Sequence, residues 1–331
     1  KGEFPILKSV IHQFSESDLA IVKQDWQIII DKIKAGKAHE ISEGDTMYLA
    51  ACTKGANAKS MRKQPFSDIP AKQRAYSLKN SYMTAYVRRI LMNEDVISVF
   101  KPEELKSKSV DELLHERFAP YIGRTLYELK RHINFAENKN KAMYANLVSD
   151  LLGIKGTSLD DTEEFAKANI KFKTIRLEPN GVPREHMSFE QIDFDRWINA
   201  SWEESQVYET FENTKFLFVV FQFTETEREN PNRVPYLKGI KLWNMPEQII
   251  ETELKNLWKT VHDILAVGVE LTQTPRGVKN NLPGTKFNGV CHIRPKAANA
   301  ADKVQLPDGQ MITKQTYWLN REYIAEIVRE L

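Results

Sequence analysis

Cysteine is nearly absent from this sequence, no long apolar run occurs in it, and it carries almost no net charge. Two cysteines in 331 residues, Cys52 and Cys291, cannot make a disulfide framework or a four-ligand zinc site. They read as reduced thiols of a cytoplasmic protein. No apolar stretch approaches the roughly 20 residues that cross a bilayer, so no membrane is expected among the partners. A basic-then-apolar signal segment and an initiator Met are both missing, and the chain reads as an internal piece of a longer protein. What is present is ordinary for folded protein: 41% hydrophobic, 10% aromatic and 28% charged residues, the signs intermixed. The length exceeds what one core usually serves, so two units are expected.

A net charge of +2 says little about partners, but its distribution says more. Residues 51–90 hold Lys54, Lys59, Arg62, Lys63, Lys72, Arg74, Lys79, Arg88 and Arg89 against a single acid, Asp68. Residues 272–320 hold Arg276, Lys279, Lys286, Arg294, Lys296, Lys303 and Lys314 against Asp302 and Asp308. Such stretches in a nearly neutral chain suit phosphate-facing surfaces, although a merely solvated face has the same composition.

The two stretches belong to an internal repeat. Trp26 is followed by Asp31 and Gly36, and Trp258 by Asp263 and Gly268, at identical offsets. Apolar residues around each tryptophan fall at helical spacing, and each helix is expected to stop at its glycine. Thr53-Lys54-Gly55-Ala56-Asn57-Ala58 then matches Pro295-Lys296-Ala297-Ala298-Asn299-Ala300, and Tyr76-Ser77-Leu78 matches Tyr317-Trp318-Leu319. Agreement at so many fixed offsets marks duplication. Residues 1–92 read as the final part of one unit, 93–122 as a helical connector, and 123–331 as a complete second α/β unit. In that unit helices are expected near 125–133 and 143–152, and strands at 170–177, 215–223 and 237–243.

The stretch Ile293-Arg294-Pro295-Lys296-Ala297-Ala298-Asn299-Ala300 resembles the signature of the MutH mismatch-repair endonucleases. Its duplication resembles the type II restriction enzymes that cut GATC with two MutH-like units. The resemblance implies a restriction-endonuclease-like α/β core, a mixed sheet flanked by helices, with a DNA cleft between two arms. It also implies a nuclease site in which carboxylates hold Mg²⁺ and a lysine steadies the attacking water. Laid over this chain, the helix Glu of that pattern falls on Ser149, the Asp on Glu164 and the central Glu on Lys171. Its lysines fall on Lys173 and Lys215. Only one of three acids survives, and Lys171 repels a cation where a ligand is needed. This chain is therefore expected to need no cofactor and not to cut, Mg²⁺ serving the full enzyme.

Recognition remains. The resemblance assigns major-groove reading to Arg294 and Lys296, whose donors suit the O6 and N7 acceptors of guanine, with Pro295 stiffening the turn. Lys54 holds the lysine position in the first copy, where Cys52 replaces the arginine. The loop that closes over DNA falls at 138–142, with Lys141 at its basic position, and the tyrosine near the target adenine falls on Ser77 and Trp318. Lys59, Arg62, Lys63, Lys79, Arg88 and Arg89 are expected at phosphates. Trp26 and Trp258 are expected as core anchors, and Asn57 and Asn299 as turn caps. The expected partners are double-stranded DNA containing GATC and an N-terminal nuclease unit of the same full-length protein, which this chain positions or activates. Competing readings are an active Mg²⁺ nuclease with an unusual ligand set and a dimerisation module without DNA affinity.

Overall fold

A computed structural model describes residues 9–54, 60–92, 96–135, 142–275 and 277–331. Lys59, Lys141, Arg276, Asn57 and most of the loop expected to close over DNA lie outside the described residues. The chain divides into two compact units, one of Lys1–Pro120, Lys130–Phe172 and Lys215–Leu217, the other of Tyr121–Leu129, Lys173–Thr214 and Phe218–Leu331. These bounds follow compactness and differ from those of the repeat, since residues 130–172 group with the first unit. Among the described residues no helix is long and apolar enough to cross a membrane.

The first unit opens with α1 (Glu16–Lys34), capped by the Ser15 hydroxyl, which accepts from Asp18 N at 3.0 Å. Its buried positions, Asp18, Ile21, Asp25 and Ile29, form one face at helical spacing. Gly36 ends it at φ +74°, and a Cβ there would lie 2.6 Å from the Phe66 carbonyl oxygen, so no other residue fits this turn. Then come β1 (Leu49–Thr53), β2 (Met61–Gln64), β3 (Ser67–Lys72), β4 (Arg74–Leu78) and α2 (Asn80–Met92). Strands β1 and β4 pair antiparallel, and β2 with β3 forms a hairpin between them. The expected connector contains α3 (Pro102–Ser107) and α4 (Val110–Phe118). It is a packed layer, because Leu105, Val110, Leu113, Leu114 and Phe118 are all buried.

Next come α5 (Leu126–His132), α6 (Met143–Leu151), α7 (Glu163–Ala168) and β5 (Ile170–Leu177). They are followed by β6 (Met187–Gln191), α8 (Phe194–Asn199), α9 (Gln206–Asn213), β7 (Lys215–Gln222) and β8 (Tyr236–Asn244). Strands β5, β7 and β8 form a sheet in that order, near the positions the sequence predicts. All but the last residue of β7 are buried, as its unbroken apolar run requires of a central strand.

In the second unit α10 (Glu247–Ile249) passes through a π-helical turn (Ile250–Leu254) into α11 (Lys255–Val267). Then follow β9 (Leu271–Thr274), β10 (Gly277–Asn280), β11 (Cys291–Pro295), β12 (Lys303–Gln305), β13 (Met311–Thr313), β14 (Gln315–Leu319) and α12 (Arg321–Ile327). Strands β11, β14 and β6 make a three-stranded antiparallel sheet.

The repeat holds residue for residue. Leu49 pairs with Leu78 as Cys291 does with Leu319, and Thr53 with Arg74 as Pro295 does with Gln315. Beyond the strands, Lys54 N donates to Gln73 O at 2.7 Å, and Lys296 N to Lys314 O at 3.0 Å. Each strand pair encloses a small hairpin and leads into a helix.

The tryptophans are not the anchors expected. Trp26 is 46% exposed, since it lies one position off the buried face of α1. Trp258 is half-buried, and the fully packed tryptophans of the second unit are Trp197 and Trp202.

Candidate functional site

The positions that the resemblance lays over the nuclease pattern fall on α6, α7, β5 and β7. Glu164 lies on α7 rather than on a strand and is 2% exposed. Its carboxylate accepts from Val99 N at 2.9 Å, from Phe100 N at 3.4 Å and from the Ser98 hydroxyl in a short bond. Burial pushes its carboxyl above the usual range against the pull of those three bonds. Lys171 is exposed, its ammonium 3.8 Å from Asp160. Ser149, half-buried on α6, brings a hydroxyl. Lys215 is buried, donates to the Asp45 carbonyl oxygen at 2.9 Å, and is lowered by desolvation.

Glu164 and Lys171 line a cleft of about 1060 Å³ in the first unit. Lys167, one of several cations lining this cleft, is already paired, its Nζ 2.9 Å from Asp18 and 2.8 Å from Glu163. A hydroxyl, a cation and one carboxylate with its oxygens engaged do not compose a cage of hard oxygen ligands for Mg²⁺. Among the described residues no three His, Cys, Asp or Glu side chains gather to hold a metal.

Lys173, two residues along β5, is half-buried with its ammonium 5.5 Å from the centre of the Phe189 ring. It lines a polar cleft of about 520 Å³ in the second unit together with Arg176, Arg184, His186 and Arg233. Arg233 there pairs with Glu178, and Arg184 with Glu227.

Of the positions expected at phosphates, Arg62, Lys63, Arg88 and Arg89 are exposed, as is Lys54 at the lysine position of the first copy, and Arg89 lies 3.6 Å from Glu163. Lys79 is not among them. It is 3% exposed, donates to the Ala168 carbonyl oxygen at 3.3 Å, and its pKa is lowered to about 7, first by desolvation and then by the charge of Lys215. Charge counting along the chain placed it outside, but a residue directly after β4 turns its side chain into the core.

The second copy brings the expected recognition residues together. Alternation along β11 and β14 puts Ile293 and Tyr317 on the core face, where Phe189 of β6 stacks on Tyr317 at 5.7 Å. His292, Arg294, Thr316, Trp318 and Ser188 share the opposite face. Arg294, Pro295 and Lys296 are exposed. The Arg294 guanidinium lies 5.7 Å from the Trp318 ring centre, and Trp318 Nε1 donates to the Arg294 carbonyl oxygen at 3.2 Å. Lys296 Nζ donates to the Ser188 hydroxyl at 2.8 Å. Asn299 caps its turn as expected, accepting from Ala301 N at 2.9 Å.

Sequence reasoning missed His292, Asn320 and Ser188. Period-two alternation from Arg294 points to His292, which stood two residues before it. Ser188 lies more than a hundred residues away and carries no sequence signal at all.

The family "DNA mismatch repair enzyme MutH" matches residues 152–257. The type II restriction enzyme Sau3AI of Staphylococcus aureus is 37% identical over 98% of this chain and 74% of its own length. The DNA mismatch repair protein MutH of Actinobacillus pleuropneumoniae serotype 3 is 25% identical over 67% of this chain and 94% of its own. That of Vibrio campbellii is 28% identical over 56% and 77%. The fold is the restriction-endonuclease-like one expected, α/β with sheets flanked by helices, and the chain belongs to the MutH-related family of type II restriction enzymes.

Proposed function

We propose that this chain binds double-stranded DNA at GATC without cutting it, and thereby positions or activates a catalytic MutH-like unit of the same protein in the cytoplasm. The observation that carries this reading is the exposed Arg294-Pro295-Lys296 segment at the end of β11, its two cations laid over one face of the sheet. The names of the relatives, a restriction enzyme and DNA mismatch repair proteins, support DNA as the partner. The engagement of Glu164 by three donors, and the cation at Lys171, support binding without metal-dependent cleavage. The GATC site itself comes from the resemblance of the signature stretch.

The test is equilibrium binding of a GATC duplex and a scrambled duplex, with Mg²⁺ present. The GATC duplex should bind at least about a thousandfold more tightly, remain intact, and be released as salt rises. Equal affinities would overturn the reading, and so would cleavage.

Substitutions separate base reading from phosphate contact. Arg294→Ala should cost about 1–3 kcal/mol on the GATC duplex and little on the scrambled one, because a base edge is lost. Arg88→Ala should weaken both duplexes alike. An equal loss on both duplexes for Arg294→Ala would move Arg294 to the backbone.

A further inference from the structure

Behind Arg294 lies a set of side chains that none of the readings above uses. His292 is wholly buried beside Trp318, directly across β11 and β14, with the two rings nearly parallel at 11°. Its Nδ1 is in short contact with Asn320 Oδ1. Asn320 Nδ2 donates to the Thr285 carbonyl oxygen at 3.1 Å, which leaves Oδ1 as the acceptor and makes Nδ1 of His292 the protonated nitrogen. His292 Nε2 is buried without a hydrogen-bond partner among the described residues. The groups facing the imidazole are His186, Arg294 and Glu322. Burial, opposed by the bond to Asn320, lowers its pKa to about 4, so it stays neutral under the arginine.

The chain of contacts therefore runs from Thr285 through Asn320, His292 and Trp318 to the backbone and guanidinium of Arg294. The first copy shows the same strand pair without it. Through the shared register, Ala50 stands for His292, Cys52 for Arg294, Ser77 for Trp318 and Lys79 for Asn320. All four members are replaced together, as expected of a set that works as one.

We propose that His292 and Asn320 are positioning residues for base reading, holding Trp318 flat so that its indole fixes Arg294. This rests on the DNA-binding reading above and adds which buried residues set its specificity. A guanidinium preorganised over a fixed ring loses less freedom when it meets a base edge than one on an open strand.

The test compares the wild type with His292→Phe, which keeps a flat ring but cannot donate to Asn320, and His292→Asn, which returns a donor near the Nδ1 position. His292→Phe should lower affinity for the GATC duplex about tenfold and leave the scrambled duplex unchanged, a change of the size one lost positioning bond produces. His292→Asn, which returns the donor but not the ring beside Trp318, should fall between His292→Phe and the wild type. His292→Gln, which cannot place its donor at the Nδ1 position, should behave as His292→Phe does and serves if that variant does not fold. An unchanged preference, or an equal loss on both duplexes, overturns the proposal. Hydrogen exchange of the Trp318 indole proton in DNA-free protein gives an independent readout. It should quicken in His292→Phe and less so in His292→Asn, and unchanged exchange in His292→Phe also overturns the proposal. A wild type without preference for GATC would sink the functional reading alone, since the indole exchange would still decide the positioning.

Discussion

Glu164→Ala will destabilise the protein by about 2–4 kcal/mol and leave its response to Mg²⁺ unaltered. The carboxylate receives the Val99 and Phe100 amides and the Ser98 hydroxyl, and so ties residues 98–100 to α7. Removing it strands the two amides where water has little access, while the Ser98 hydroxyl still has the Phe100 carbonyl oxygen at 2.7 Å; a buried donor left unpaired costs about 1–3 kcal/mol, with some relief from relaxation. Glu164→Gln should fall between, since its amide oxygen still accepts while its NH₂ faces other donors. Urea-unfolding midpoints measure the loss, and Mg²⁺ calorimetry with duplex bound measures the response. A variant of wild-type stability that loses a Mg²⁺ signal seen in the parent would show that Glu164 is a metal ligand.

Lys79→Met will stabilise the protein at pH 7 by a few kcal/mol, because a buried ammonium is replaced by an apolar chain of similar shape. The folded pKa of Lys79 is about 7 against an ordinary value of 10.5. Between those values the unfolded chain binds more protons than the folded one, so stability rises with pH across this window. Below pH 7 both states are protonated and the full cost of burying the charge is felt. Above 10.5 that cost vanishes. The variant should therefore flatten the rise seen in the parent between pH 7 and 10.5. The lost bond to Ala168 O offsets only about 1 kcal/mol. A variant less stable than the parent at pH 7, with the same slope, would mean that Lys79 is held charged by Asp25, Asp45 and Glu43.

Much of the fold was legible because periodicity and punctuation are local. The run at 215–223 can only be a buried strand, and β7 covers Lys215–Gln222. Gly36 stops α1 where no Cβ fits. The repeat offsets carry straight into the registers of β1 with β4 and of β11 with β14. The candidate recognition turn was legible for the same reason, since three consecutive residues at a strand end travel together.

Burial was the part that local pattern could not supply. Trp26 has the size and composition of an anchor, yet one helical position of about 100° carries it from the buried face to solvent. Lys79 sits in a basic stretch, and its charge says nothing of the inward turn after β4. Glu164 had the right residue type for a metal site, but its partners are 64–66 residues away in sequence and only packing brings them to it.

By itself the sequence determined the duplication and several helices and strands near their observed positions, and through its resemblance to the MutH pattern it singled out the candidates for base reading and the positions where that pattern's acids are missing. These depend on residue identity and spacing along one chain. The tertiary structure alone decided that Glu164 holds backbone rather than standing free, that Lys79 is interior, and that His292, Asn320 and Ser188 surround the proposed recognition residues. Those outcomes turn on which distant segments share a sheet face or a core. That is set by the summed burial of many side chains, a quantity that no local window of sequence contains.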